Sequence, residues 1–347
     1  MVLFILGHLP QKDLVNVSMI NRKFRDLSRD GSLWTELTLD YVDIKRKAET
    51  CRKLVERCKK LASLKISNES DNWKPLNIMT VVIRAKETLK SLAVDLSMLT
   101  WTPAAMAKLG RLKNLTSLTM SFHTETNVMN GYAGAKMLEE LANLNKLEVL
   151  NLVIKHNPSF QNSHTNSLPV MKTMFQKLKK LKNVKISPSH YDESLVVTLA
   201  KNNPDLTGLH LMNYPSLSDE CVDLLVNSCP GLQEFNISFT HSDIEMTKLT
   251  SSIPNLKHLL VGGCYGARGG IVVEEQLIKI VDKFRRLERI DLAGDHYALT
   301  DSGVERIVGA AEDLKHLNLG WAPRVTEDLL ERLRMEYPDL DIRNKWY

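Results

Sequence analysis

Leu206-Thr-Gly-Leu209-His-Leu211 and, one interval later, Leu232-Gln-Glu-Phe235-Asn-Ile237 decide how this chain is read. Both spell one pattern: an apolar residue, two others, a second apolar residue, one other, and a third. The closing positions alternate, as in a short strand that sends every second side chain inward. Between the two stretches Cys221, Leu224 and Leu225 stand three and four apart, the spacing of a helix with one buried stripe. Neither half can bury its apolar side alone, so such a unit requires stacked neighbours.

The rest of the chain supplies them. The same triad stands at Trp34/Leu37/Leu39, Leu61/Leu64/Ile66, Leu89/Leu92/Val94, Leu115/Leu118/Met120, Leu147/Leu150/Leu152 and Leu181/Val184/Ile186. It continues at Leu256/Leu259/Val261, Leu287/Ile290/Leu292, Leu314/Leu317/Leu319 and Tyr337/Leu340/Ile342. Middle positions lie 23 to 34 residues apart, in or slightly above the period of leucine-rich repeats. Ser218-Asp219, Thr300-Asp301 and Thr326-Glu327 predict helix starts. Pro204, Pro230, Pro254 and Pro338 fall where a helix has already ended. The expected fold is α/β: a leucine-rich-repeat solenoid of about twelve repeats over 36–347. Parallel strands form its concave side and helices its convex side. A short all-α segment over 1–35 precedes it. Later units, such as Leu217-Ser-Asp-Glu-Cys221 through Cys229-Pro230-x-Leu232, resemble the cysteine-containing repeat subtype. Only Cys264 takes that subtype's polar position after a strand, with Thr240 and Asp295 as weaker substitutes.

Composition narrows the function. A net charge of +5 on 87 charged residues is mild, and makes the whole chain a poor candidate for nucleic acid. Five cysteines at unrelated spacings suggest a reducing compartment rather than a disulfide framework. No stretch approaches ~18 unbroken apolar residues, so a membrane partner is not expected. The expected location is the cytoplasm, with the nucleus as an alternative.

In the first forty residues Leu3, Leu6 and Leu9 share a helical face that Pro10 closes. Asp13 is placed to cap a second helix carrying Leu14, Val17 and Ile20 on one side. On periodicity alone this segment is a cap for the open end of the repeats. Its residue identities say more. Ile5-Leu-Gly-His-Leu9-Pro10-x-x-Asp13-Leu14-x-x-Val17-Ser18-x-Ile20-x-Arg22-x-Phe24-Arg25-x-Leu27, followed by Asp30, Leu33 and Trp34, resembles the F-box. The resemblance implies binding to a Skp-type adaptor, and through it to a cullin–RING ubiquitin ligase core. It makes Leu9, Pro10, Leu14, Val17, Ile20, Phe24, Leu33 and Trp34 the adaptor-binding residues. The family's opening Leu-Pro pair has no counterpart here, Asn21 stands at its usual cysteine, and Phe24 stands where tryptophan is frequent.

Catalysis finds no support in the residues. The ten histidines are scattered, and none lies in a zinc-binding helical motif or beside a nucleophile. Gly262 to Gly270 lacks the lysine of a phosphate loop. Neither a metal nor a cofactor is expected. Nine Lys/Arg against two acids between Lys45 and Lys65, and six lysines from Lys172 to Lys185, fit a solvated face or an acidic partner. The strand positions that flank the buried ones point away from the core. There the later strands carry His210, Glu234, Asn236, His258, Arg289, Asp291 and His316, with Tyr214, Tyr265, Arg268, Trp321 and Arg324 just beyond. Aromatics and arginines on an open face mark a protein partner's hot spot. These twelve are the expected target-binding residues, and the surplus of basic groups favours an acidic or phosphorylated ligand.

Two roles follow. The first is the substrate receptor of a Skp–cullin–F-box ligase, non-catalytic itself, that holds an unidentified target protein near a ubiquitin-charged enzyme. The second is a leucine-rich-repeat scaffold or inhibitor whose helical segment serves only as a cap.

Overall fold

The computed structural model describes residues 2–9, 11–67, 79–95, 107–123, 132–155, 167–187, 193–211, 217–238, 253, 255–261, 274–284, 286–292, 299–320 and 322–344. The chain divides into two compact units, Met1–Lys180 and Leu181–Tyr347.

The first unit opens with three short helices, α1 (Val2–Leu6), α2 (Gln11–Ser18) and α3 (Arg22–Ser28), and a 3-10 turn at Gly31–Leu33. Strands then alternate with helices: β1 (Glu36–Asp40), α4 (Tyr41–Arg57), β2 (Ser63–Ser67), α5 (Met79–Val82), β3 (Ser91–Asp95), β4 (Ser117–His123), α6 (Tyr132–Leu141), β5 (Val149–Lys155) and α7 (Ser167–Lys177). The second unit repeats the scheme with β6 (Asn183–Ser187), α8 (Glu193–Asn202), β7 (Gly208–Leu211), α9 (Asp219–Ser228), β8 (Glu234–Asn236) and β9 (His258–Leu260). It ends with α10 (Glu274–Lys283), β10 (Arg289–Asp291), α11 (Asp301–Ala310), β11 (His316–Asn318), α12 (Glu327–Glu336) and β12 (Asp341–Arg343). Within each unit every strand pairs in parallel with the next in chain order.

The pairing register follows the apolar triads. Their middle residues face one another, as Leu37↔Leu64, Leu64↔Leu92 and Leu92↔Leu118 in the first unit. The second unit does the same with Leu209↔Phe235, Phe235↔Leu259, Leu259↔Ile290 and Ile290↔Leu317, but the last triad is corrected: Leu317 faces Ile342, not the expected middle residue Leu340. Register is fixed because a slip by one residue would turn a whole strand's apolar set out of the core. The triads from Leu61 to Leu292 are buried throughout. At the two ends Trp34 and Tyr337 are only half-buried.

Neighbouring repeats of the second unit are joined by a carboxylate clamp. The first residue of one helix accepts hydrogen bonds from the N-cap residue of the next. Thr300 donates its N–H and hydroxyl to Glu274 at 2.6 and 2.8 Å, and Thr326 donates both to Asp301 at 2.7 Å. Ser218 does the same to Glu193. Each hydroxyl in turn accepts from the backbone N–H three residues on, at Cys221, Gly303 and Leu329. These are the predicted helix starts, and Asp301, the acid that follows the predicted cap at Thr300, serves the next repeat. Buried Asn203 adds another tie, accepting from the Leu181 N–H at 2.9 Å and donating to the Leu199 carbonyl at 3.1 Å.

Candidate functional site

The N-terminal helices build a small module around Leu6, Leu14 and Leu33, with Leu9, Val17, Leu27 and Trp34 packed against them. Helix α2 starts at Gln11, two residues before the expected cap. Asp13 lies inside the first turn, where its carboxylate meets the positive end of the helix. Asn21 caps α3, its side-chain oxygen accepting from the Phe24 N–H at 3.0 Å. The Trp34 indole N–H donates to the Ser28 carbonyl at 2.9 Å.

Two contacts seat this module on the first repeat. The Gln11 amide accepts from the Thr38 N–H at 2.9 Å and donates to the Thr38 carbonyl at 3.2 Å. One side chain thus stands in for a neighbouring strand along the edge of β1. Gly31 packs so closely on the end of α4 that a Cβ there would overlap the Arg57 carbonyl oxygen.

The expected adaptor residues divide sharply. Leu14 and Leu33, 2% and 8% exposed, belong to the module's own core. Leu9, Val17, Phe24 and Trp34 are half-buried, and Pro10 lies outside the described residues. Ile20 alone is open, at 64%. Sequence reading missed its companions: Val2, Leu3, Phe4, Ile5, Val15 and Met19 are all exposed, Phe4 to 74%. Among the described residues eight large apolar side chains are exposed, and only Met335 lies outside this module. The available signal was an excess: α1 and α2 carry more apolar residues than one helical stripe can bury. A hollow beside α2 has an apolar floor of Val15, Met19, Trp34 and Leu54, with Arg25, Arg29 and Arg57 around it.

The second candidate surface is the open face of the sheet in the second unit. The first strand positions align as Gly208, Glu234, His258, Arg289, His316 and Asp341, and the third positions include His210, Asn236, Asp291, Asn318 and Arg343. Seven expected target-binding residues therefore share two adjacent rows. Glu234 stands between His210 at 3.4 Å and His258 at 3.7 Å. The His210 hydrogen bond, helped by the charges of His210, His258 and Arg289, holds Glu234 below the usual carboxylate range. Arg289 meets Asp291 at 3.2 Å, and Asn318 donates to the same carboxylate at 3.2 Å. His316 and Arg343 converge on Asp341 at 3.4 and 2.9 Å. The face is therefore a mosaic of opposite charges, not the basic surface expected from His258, Arg289, His316 and Arg324.

Asn236 departs from expectation. It is 5% exposed, and its side chain accepts from the Ser238 N–H at 2.8 Å to shape the turn after β8. Asn318 does the same for Gly320, the position with a left-handed backbone at φ 60°. An asparagine after a strand's middle residue shapes the turn as well as facing outward, and periodicity cannot separate the two. Arg324 is exposed in the turn before α12, whereas Tyr214, Tyr265, Arg268 and Trp321 lie outside the described residues. So do Thr240, Cys264 and Asp295, the expected polar ladder.

All four described thiols are buried, and three are held far from reactivity. Burial raises Cys58 to about 11, Cys221 to about 12 and Cys229 to about 11, far from a nucleophile's range. The described residues contain no cluster of three metal-ligating side chains. None of their helices is long and apolar enough to cross a membrane.

Fold and module together define a class: an F-box-like helical segment followed by leucine-rich repeats. Residues 1–40 match the F-box-like family model. The chain is 24% identical over 146 residues to F-box/LRR-repeat protein 21 of Mus musculus, covering 41% of this chain and 33% of that protein. It is 25% identical over 167 residues to F-box/LRR-repeat protein 4 of Bos taurus, covering 39% and 26%. The alignments thus span about a third or less of each curated relative. Among solved structures, the crystal structure of the Rad7 and Elc1 complex in yeast contains a chain of similar fold. Its TM-score is 0.60 at 15% identity, over 99% of this chain and 90% of that one.

Proposed function

We propose that this chain is the substrate-recognition subunit of a Skp–cullin–F-box type ubiquitin ligase. The observation that carries the reading is the exposed apolar surface of α1 and α2. Seven large hydrophobic side chains between Val2 and Ile20 face solvent in a module whose own core is already closed by Leu6, Leu14 and Leu33. A patch of that kind is a docking surface. The F-box-like match over the same residues supports a Skp-type adaptor as its occupant, with the cullin–RING core reached through it. Ile20, Phe4, Ile5, Val15 and Met19 would make the contact, while Leu14 and Leu33 hold the helices that present them.

The target would lie on the open sheet face of the second unit, over His210, Glu234, His258, Arg289, Asp291 and His316. Its alternating charges favour a partner with both signs in register. The chain's part in the reaction is tethering: it raises the local concentration of target lysines near the charged enzyme. It supplies no catalytic group of its own.

A second reading has its own support. Gln11 and Gly31 fasten the helical module to β1 and α4, so the module also caps the repeat stack. A scaffold or inhibitor would need no more than this. Co-expression with a Skp-type adaptor separates the two. Wild type should co-purify with the adaptor, and a Phe4→Asp, Met19→Asp, Ile20→Asp variant should lose it while melting at an unchanged temperature. Failure of the wild-type chain to bind at micromolar concentration would establish the scaffold.

A further inference from the structure

The whole-chain charge of +5 hides a division. Residues 1–180 carry 28 Lys/Arg against 16 Asp/Glu, a net of +12, whereas residues 181–347 carry 18 against 25, a net of −7. In the first unit the excess is concentrated at one edge. The turns that lead into β2 to β5, together with the turn after α7, occupy 58–62, 86–90, 110–116, 142–148 and 177–180. They hold ten Lys/Arg and two acids. Parallel strands all begin at the same edge, so these turns form a continuous rim, stepping ~4.8 Å per layer. Hydrogen bonds along it confirm the stacking: Asn114 donates to the Glu87 carbonyl at 2.9 Å, and Lys146 to the Asn114 side chain at 2.8 Å.

Helix C-termini attract cations, which would account for scattered lysines here. That cause applies equally to the second unit, whose matching turns at 203–207, 229–233, 253–257, 283–288, 311–315 and 337–340 hold five basic and five acidic residues. There Lys257 and Lys315 both bind Glu288, at 2.8 and 2.7 Å. On the first rim Lys59, Lys90, Arg111, Lys177, Lys179 and Lys180 are exposed, and none has a carboxylate partner among the described residues. Fold maintenance therefore does not explain the excess.

We propose that this rim binds the phosphate backbone of duplex nucleic acid without reading its sequence. A row of uncommitted cations matches a regular polyanion. The described rim residues include no exposed large apolar side chain. Protein hot spots and interfacial membrane binding both draw on such anchors. Single-strand platforms need stacked aromatics, which these five turns lack. Phosphate contacts need neither.

The test is fluorescence anisotropy of the full-length chain with a labelled duplex of arbitrary sequence, across a salt series. Six neutralised phosphates predict a slope of log K against log salt near −5, and a loss of about 10³ in affinity between 50 and 200 mM salt. A Lys59→Glu, Arg111→Glu, Lys90→Glu, Lys179→Glu variant should weaken binding at least tenfold and flatten that slope. Reversal of Lys201, Lys279, Lys283 and Arg286 to Glu, an equal change of charge in the second unit, should leave tight binding. Equal loss in both variants would overturn the proposal, and so would a wild-type slope shallower than about −2. Preferential binding to a polyglutamate peptide, or to phosphatidylserine vesicles, would overturn it in favour of an acidic protein or a membrane surface.

Discussion

Glu288 shows how a single half-buried side chain can join three repeats. Lys257 from the preceding turn and Lys315 from the following one both donate to it. Those hydrogen bonds, Lys257 first, lower its carboxyl from 4.5 to about 2. A carboxyl depressed in the folded state adds stability above its unfolded value, and that contribution disappears as pH falls through the folded one. Thermal melts should therefore fall between about pH 4.5 and pH 2, and Glu288→Gln should flatten that part of the profile by melting below wild type at neutral pH and converging with it near pH 2. An unaltered acid limb in the variant would show that the two lysines contribute nothing to folding. Nothing in the local sequence announces this triad, since its members are 27 and 31 residues apart.

At the scale of elements, the repeat is held by its helix starts as well as by its core. Thr326 satisfies the Leu329 N–H and also binds Asp301 of the previous helix. Thr326→Val keeps the shape and deletes both bonds, so it should cost about 1–2 kcal/mol, at the upper end for an N-cap. Thr326→Ser should recover most of it. Denaturant unfolding of the two variants checks this, and equal stabilities would remove the clamp from the account. The caps at 218, 300 and 326 were legible in the sequence because Ser/Thr before an acid is a local signal. The partner of each cap was not legible, because it lies on another helix about 25 residues away. The start of α2 was misplaced for a related reason: Gln11 spends its side chain on Thr38 of β1, a contact that no helical propensity contains.

At the scale of the molecule, the proposed adaptor surface lies within residues 2–20 and the proposed target face within residues 210–316. Binding at the two should be separable. Arg289→Glu with His258→Glu should abolish capture of target proteins by the full-length chain and leave adaptor binding within twofold. The Phe4, Met19 and Ile20 variant should show the reverse. Joint loss in either variant, with native circular dichroism, would argue against independent sites.

The apolar triads alone determined the α/β repeat fold and, apart from β12, where Ile342 rather than Leu340 faces Leu317, its register, because burial of every second side chain is a constraint that each short segment states for itself. Leu14 and Leu33 were legible as members of the helical module for the same reason. Which apolar residues remain outside could not be read there, since Ile5 and Leu6 are equally hydrophobic and only packing against Leu14 and Leu33 buries one of them. The tertiary structure also decided that Asn236 turns inward, that three carboxylates neutralise the basic face, and that lysines far apart in the chain share one rim. Each of these depends on distances between layers, and a linear pattern carries no information about what the next layer brings.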